Sequence, residues 1–314
     1  MLITEINTWM LPPYKMRKHP VIYGISLIFL SGLGFLALLY GLSFLTGNTP
    51  FFPRDDKIGI IEISGIISSS QEIVEQVTEF KNDKTIKAVV IRIDSPGGGV
   101  ASAQEIYAAI KGLKKHKKVV ASLGSIAASG GYMVACAADK IVANPGTLTG
   151  SISAIMYFAN AEDLLKKIGL KSSVVKSGKY KDIGSPTREM TVDERSILQA
   201  LVDDIFDQFL DVITQDRKIP KEEVEKIADG RVFSGRQAQM LKLIDILGDK
   251  DYAVNLAGQM AGIKGTPEVV YSKKKNITFW DYILQNAAST FAAVVKQNIL
   301  STPPGVNFIY EYGT

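Results

Sequence analysis

Histidine is nearly missing from this 314-residue chain: there are two, His19 and His116. His19 abuts an N-terminal hydrophobic run. His116 lies inside Lys114-Lys115-His116-Lys117-Lys118, where the neighbouring positive charges disfavour an imidazolium. Neither is placed as a buried general base, which argues against Ser-His-Asp and Cys-His chemistry. The Cys and His clusters of a zinc site are absent too, so neither a metal nor any other cofactor is expected. The one cysteine, Cys136, rules out an intrachain disulfide. Set in Val134-Ala135-Cys136-Ala137-Ala138, it reads as a small buried hydrophobe. An excess of one sign of charge is also lacking, with 36 Lys and Arg against 32 Asp and Glu. The net charge is +4, and no basic stripe with interleaved aromatics appears, so no nucleic-acid partner is expected. The lysines between Lys111 and Lys118 read as a solvated helix end and loop. There is no P-loop, no G-x-G-x-x-G, no internal repeat and no low-complexity segment.

What is present begins with a membrane signal. Val21 to Phe44 contains no charged residue. At a rise of about 1.5 Å per residue, such a run spans a hydrocarbon core of about 30 Å. A cleavable signal peptide has a shorter apolar region, about 7–15 residues, ending in small residues. Here the run ends Ser43-Phe44-Leu45-Thr46-Gly47-Asn48, a poor cleavage site, so an uncleaved anchor is expected. Lys15, Arg17 and Lys18 precede it, and the positive-inside rule places the N-terminus in the cytoplasm and the rest outside.

The 46% hydrophobic content suffices for one large domain or two small ones. The expected organisation is a cytoplasmic segment at 1–20, an anchor at 21–45, a linker at 46–56 and a folded α/β domain at 57–265. A strand, an amphipathic helix and a tail follow at 266–314. Strands are expected at Lys57–Ile63, Lys87–Asp94, Lys118–Leu123, Lys140–Ala143, Ser151–Phe158, Ser172–Lys176 and Glu268–Tyr271. Helices are expected at Gln71–Phe80, Val100–Leu113, Tyr132–Ala138 and Glu162–Ile168. Thr191-Val192-Asp193-Glu194 has the capping-box pattern and opens a long helix to about Asp216. Shorter helices are expected near 221–228, 234–241 and 249–261. Ile277 to Ile299 is amphipathic and suits packing or an oligomer contact better than a membrane surface. Such alternation marks an α/β domain with buried, mostly parallel strands.

Two glycine-rich turns each follow a buried strand: Asp94-Ser95-Pro96-Gly97-Gly98-Gly99, and Ala127-Ala128-Ser129-Gly130-Gly131. Glycine there lets a ligand approach the backbone closely, and both turns precede a helix, where N–H groups lack intrahelical partners. A small hydroxyl between strand and helix, with such donors nearby, is a place for a nucleophile and an oxyanion. The plain alternative is that both are ordinary tight turns. A serine nucleophile needs a base, and with histidine scarce the remaining choice is a lysine whose neutral form burial favours. Spacing does not say which lysine; Lys176, Lys179 and Lys181 all read as solvated loop residues.

The chain resembles the signal peptide peptidase A (SppA) family, of the short, single-copy type, over roughly Lys57 to Gly248. The motifs that carry this are Arg92-Ile93-Asp94-Ser95-Pro96-Gly97-Gly98, Ala128-Ser129-Gly130-Gly131-Tyr132, and Ala143-Asn144-Pro145-Gly146-Thr147-Leu148-Thr149-Gly150-Ser151-Ile152. A fourth is Ser177-Gly178-Lys179-Tyr180-Lys181-Asp182, with Ser185-Pro186 and Arg188-Glu189-Met190 beyond it. The resemblance implies a ClpP/crotonase spiral of repeated strand-strand-helix units. It implies Ser129 as nucleophile, Lys181 as general base, and Ser151 as the residue that orients the base. Gly98 and Gly130 become the oxyanion donors, with Gly97 and Gly99 beside the substrate. It also implies a homo-oligomeric ring, an octamer being one candidate, in which Ser129 and Lys181 of one site can come from neighbouring subunits. The expected activity is that of a membrane-anchored serine endopeptidase acting on signal peptides left in the membrane and on other hydrophobic peptides. The alternatives are a crotonase-like acyl-transfer enzyme, with Asp94 and Glu105 as its nearby carboxylates, and an inactive membrane scaffold. The tail, Pro304 to Thr314, carries Phe308, Ile309, Tyr310 and Tyr312 and is a candidate to contact the groove.

Overall fold

The computed structural model describes residues 20–45, 56–272 and 306–308. The amphipathic stretch from Ile277 to Ile299 lies outside them. The chain divides into two units, 1–54 and 55–314. The first holds helix α1 (Pro20–Leu45). Its Val21–Leu42 portion has a mean hydropathy of 2.2 and is long and apolar enough to cross a membrane.

The second unit is built on a mostly parallel sheet. In chain order its first elements are β1 (Lys57–Ser64), α2 (Gln71–Asn82), β2 (Ile86–Ser95), β3 (Gly98–Gly99), α3 (Val100–Lys114), β4 (Lys118–Ala128) and α4 (Gly130–Cys136). Then follow β5 (Lys140–Ala143), β6 (Leu148–Gly150), β7 (Ile155–Met156), α5 (Glu162–Lys167), α6 (Val192–Arg217) and α7 (Lys221–Glu225). The remaining elements are β8 (Val232–Ser234), α8 (Gly235–Met240), β9 (Ile246–Leu247), α9 (Lys250–Met260), β10 (Glu268–Tyr271) and β11 (Val306–Phe308). The main sheet runs in the order β10-β1-β2-β4-β5-β9, with β6 on β4 and β8 on β6.

The central strands are near-continuous apolar runs because both sheet faces are covered. On one face Ile61, Ile63, Val89, Ile91, Val119 and Ala121 meet α2, α3, α4 and α6 through residues such as Phe80, Ile110, Tyr132 and Phe209. On the other face Ile58, Ile60, Val90 and Val120 meet Ala253, Val254 and Ala257 of α9. Burying each such side chain fully contributes about 1.5–3 kcal/mol. Gly59 is part of this packing: a Cβ there would stand 2.5 Å from the Phe80 ring.

One feature of β4 places the site. Its first half pairs with β5 (Val120↔Lys140 to Leu123↔Ala143) and its second half with β6 (Ile126↔Leu148 to Ala128↔Gly150). The strand changes neighbours at Gly124. A side chain there would collide with Asp94, whose Cγ would lie 2.7 Å from the added Cβ. The Asp94 carboxylate accepts the Ile126 N–H at 3.0 Å, and Thr147 Oγ1 donates to the Gly124 carbonyl at 2.7 Å. The expected strand at Lys118–Leu123 is therefore longer, reaching Ala128. The expected strand at Ser172–Lys176 is irregular, and that at Ser151–Phe158 shrinks to Ile155–Met156. Neither segment has a neighbour on the main sheet: residues 172–176 join no ladder, and Ile155–Met156 pairs instead with β11. The capping box at Thr191 is present as expected, with Glu194 N–H on Thr191 Oγ1 at 3.2 Å and Thr191 N–H on Glu194 Oε2 at 2.9 Å.

Candidate active site

Ser129 stands between β4 and α4 with φ = 53° and ψ = −122°, and is 2% exposed. A positive φ is uncommon for any residue with a Cβ and costs about 1–3 kcal/mol. Surrounding bonds enforce it: the Ser129 N–H donates to the Gly150 carbonyl at 2.8 Å, and the Ser129 carbonyl accepts the Met133 N–H at 2.9 Å. Ser151 repeats the pattern one strand over. Ala128 pairs with Gly150, so the two serines leave the ends of adjacent parallel strands together. Ser151 also has a positive φ, 50°, is 7% exposed, and donates its N–H to the Arg231 carbonyl at 2.9 Å. Among the described residues only four non-glycine residues have positive φ, and two of them meet here.

The other glycine turn faces this pair. A methyl group on Gly130 would come 3.6 Å from the Gly98 nitrogen and 3.1 Å from Ala103 Cβ. Gly97, with φ = 103°, donates its N–H to the buried Ser95 Oγ at 3.1 Å. Gly98 is pressed against Ile67, whose carbonyl oxygen would lie 2.3 Å from a Cβ on Gly98. Ile67 fixes the turn from both sides, donating its N–H to the Gly97 carbonyl and accepting the Gly99 N–H, each at 2.8 Å. The structure thus brings Ser129, Ser151, Gly98 and Gly130 into one place, with Gly97 and Gly99 flanking. Ile67 was not legible as part of the site, since its contribution is backbone alone.

The chain's own Val306–Phe308 runs antiparallel to β3 (Phe308↔Gly98, Asn307↔Gly99) and, on its other edge, to β7 (Val306↔Met156, Asn307↔Ile155). Gly98–Gly99 and Ile155–Met156 therefore flank a slot that the chain's own Val306–Phe308 fills as the middle strand.

Lys181 is not in this cluster. It is exposed, and its ammonium makes no hydrogen bond or ion pair with any described residue of its own chain, Ser129 and Ser151 included. Its main-chain N–H donates to the Gly178 carbonyl at 3.2 Å within a run of turns. Cys136 is fully enclosed, and burial pushes its thiol up to about 12, which disqualifies it as a nucleophile. Among the described residues no group of acidic, histidine or cysteine side chains is arranged to hold a metal ion.

Comparison with known proteins decides the family. Residues 111–264 match the model of peptidase family S49, and residues 57–148 match the Clp protease model. A Synechocystis protein named as a candidate protease is 45% identical over 208 residues, covering 66% of this chain and 75% of that one. The chain belongs to peptidase family S49. Its fold is the Clp-protease type of α/β spiral. An Enterococcus faecium protein, named as a candidate signal peptide peptidase SppA, is 30% identical over 237 residues, covering 71% of this chain and 69% of that one. The chloroplastic serine protease SPPA of Arabidopsis thaliana is 33% identical over 222 residues, but the match covers a third of its length. Within this S49 chain, the cluster around Ser129 spans both matched regions, since Gly98 falls in one and Ser151 in the other.

Proposed function

We propose that this chain is a membrane-anchored serine endopeptidase that works through a Ser129–Lys181 dyad. The observation that carries the reading is the strained, buried Ser129 beside the Gly98 and Gly130 backbone, at the end of a slot already fitted to an extended strand. Membership of a peptidase family and the name of the Arabidopsis relative support the serine class.

In the proposed reaction the peptide lies as a strand between β3 and β7, held by main-chain hydrogen bonds that tolerate many side chains. Neutral Lys181 takes the Ser129 Oγ proton as Oγ attacks the scissile carbonyl. The oxyanion is received by the Gly98 and Gly130 N–H groups. Lys181 then gives the proton to the leaving amine, and a water activated by the same lysine releases the acyl group. Ser151, beside Ser129 on the neighbouring strand, is proposed to orient Lys181. Because Lys181 is solvent-facing in its own chain, the proposed site draws it from the next subunit of a homo-oligomeric ring. The exposed apolar side chains of the same segment, among them Leu164, Ile168, Leu170 and Val175, support a surface that another subunit covers.

The proposed layout puts the N-terminus in the cytoplasm, α1 in the membrane and the domain from 57 to 265 outside it. The proposed substrates are signal peptides left in the membrane and other hydrophobic peptides, which share a bilayer with the anchor. The test is hydrolysis of such peptides together with Ser129 labelling by a fluorophosphonate. Ser129→Ala and Lys181→Ala are each expected to lower kcat by three orders of magnitude or more, about the scale of losing a catalytic nucleophile or base. Wild-type turnover in either variant overturns the dyad, and an unlabelled, inactive wild-type oligomer favours the scaffold reading.

A further inference from the structure

Residues 177–185 contain no helix and no strand, and the main-chain hydrogen bonds among them are those of successive turns. The Lys181 N–H reaches the Gly178 carbonyl at 3.2 Å, Ile183 reaches Tyr180 at 3.1 Å, and Ser185 reaches Asp182 at 3.1 Å. Solvent-exposed backbone bonds of this kind open easily. A general base must sit within about 2.6–3.2 Å of its proton, and a misplacement of about 1 Å can lower a rate roughly a hundredfold. Something firmer than these turns has to fix the loop.

Arg188 supplies that fixture. Its Nε donates to Asp182 Oδ2 at 3.0 Å and its Nη2 to Asp182 Oδ1 at 3.0 Å. The same Nη2 reaches the Asp182 main-chain carbonyl at 3.2 Å. Arg188 therefore grips the residue next to Lys181 by side chain and by backbone. Its outer edge donates to Glu194, Nη1 to Oε2 at 2.8 Å and Nη2 to Oε1 at 2.5 Å. Glu194 is 3% exposed and closes the capping box of α6, whose Phe209, Leu210 and Ile213 are buried in the core. A rigid path thus runs from the core through α6, Glu194, Arg188 and Asp182 to Lys181. Lys176 pairs with the same Asp182 carboxylate and completes its coordination. A planar guanidinium can present paired, parallel N–H donors to each of two carboxylates, a fork geometry that a lysine ammonium, as a point charge, cannot reproduce.

We propose that Arg188 is a positioning residue for the reaction: by clamping Asp182 to Glu194 it fixes where Lys181 is presented to Ser129. The proposal rests on Lys181 being the base, and the experiment separates the two. Full-length Arg188→Ala, Arg188→Lys and Asp182→Asn proteins are compared with Lys181→Ala for peptide hydrolysis and for the rate of Ser129 acylation against pH. The clamp predicts a 10- to 100-fold fall in kcat in all three clamp variants, with KM within about twofold. It also predicts a displaced basic limb in the acylation profile, and partial recovery of Arg188→Ala by millimolar guanidinium ion. Arg188→Lys is expected to recover little. A wild-type kcat and pH profile in Arg188→Ala, with Lys181→Ala inactive, overturns the clamp and leaves the dyad standing. Wild-type turnover in Lys181→Ala overturns the dyad itself. Should Arg188→Ala fail to fold, Asp182→Asn decides, and a wild-type kcat there also overturns the clamp.

Discussion

Ser129 spends conformational energy to face the groove. Its φ of 53° leaves the regions that residues with a Cβ normally occupy. Glycine adopts the same backbone without that cost. Ser129→Gly is therefore expected to raise stability by about 1 kcal/mol while abolishing hydrolysis, a trade typical of strained functional positions. Urea melts and a peptide assay on the same preparation check both halves; a destabilised Ser129→Gly variant contradicts the strain argument. Cys136 gives a second prediction at this scale. It is enclosed, with its thiol held protonated by burial to about 12. Iodoacetamide is expected to leave both the native protein's Cys136 and its activity untouched, and to label the thiol once urea unfolds the chain. Loss of activity on native alkylation would make the cysteine accessible, against the packing seen around it.

At the scale of elements, α6 matters most because it carries the Glu194 end of the clamp. Arg188 beside Glu194 holds its carboxyl down at about 2, with the Thr191 N–H as the next cause. Asp182 is held well below the carboxylate range by Arg188 and then by Lys176. Both folded values lie below the unfolded ones, about 3.9 for Asp and 4.3 for Glu. The stability these groups contribute is thus fully present above about pH 5 and is lost as pH falls toward about 2. The stability gap between wild type and Glu194→Gln is expected to be flat from pH 5 to pH 8 and to close as pH falls toward 2. Urea melts across that range measure it, and a gap that changes between pH 6 and 8 contradicts the assignment. Any change of activity near neutrality then belongs to other groups. The capping box itself was legible from Thr191 to Glu194, because it is a local pattern. The strand expected at Ser172–Lys176 was not settled that way, because a strand needs a neighbour that sequence does not supply.

At the scale of the whole molecule, Ser129 and Lys181 are 52 positions apart and belong to differently exposed parts of one chain. If the site is completed by a neighbour, mixing inactive Ser129→Ala and Lys181→Ala subunits restores activity. A freely exchanged mixed ring contains sites that join an intact Ser129 to an intact Lys181. Equal mixing and subunit exchange in mild detergent is expected to recover up to about a quarter of wild-type turnover, the share of random pairings with both groups intact. No recovery in demonstrably mixed oligomers places both groups of a site on one chain.

The residues themselves determined a good deal. Apolar runs with no polar face announced buried parallel strands, the uncharged stretch from Val21 announced α1, and the near-absence of histidine directed attention to lysine. These are local properties, carried by composition and period. The juxtapositions were decided by tertiary structure. The change of neighbours along β4 at Gly124 sets Ser129 beside Ser151. The backbone of Ile67 braces Gly98, and the slot between β3 and β7 receives a strand from far along the chain. Arg188 could be named from the sequence as part of a motif, but its grip on both Asp182 and Glu194 could not. Such contacts depend on backbone paths that bring distant segments within hydrogen-bond reach, and no local period encodes them.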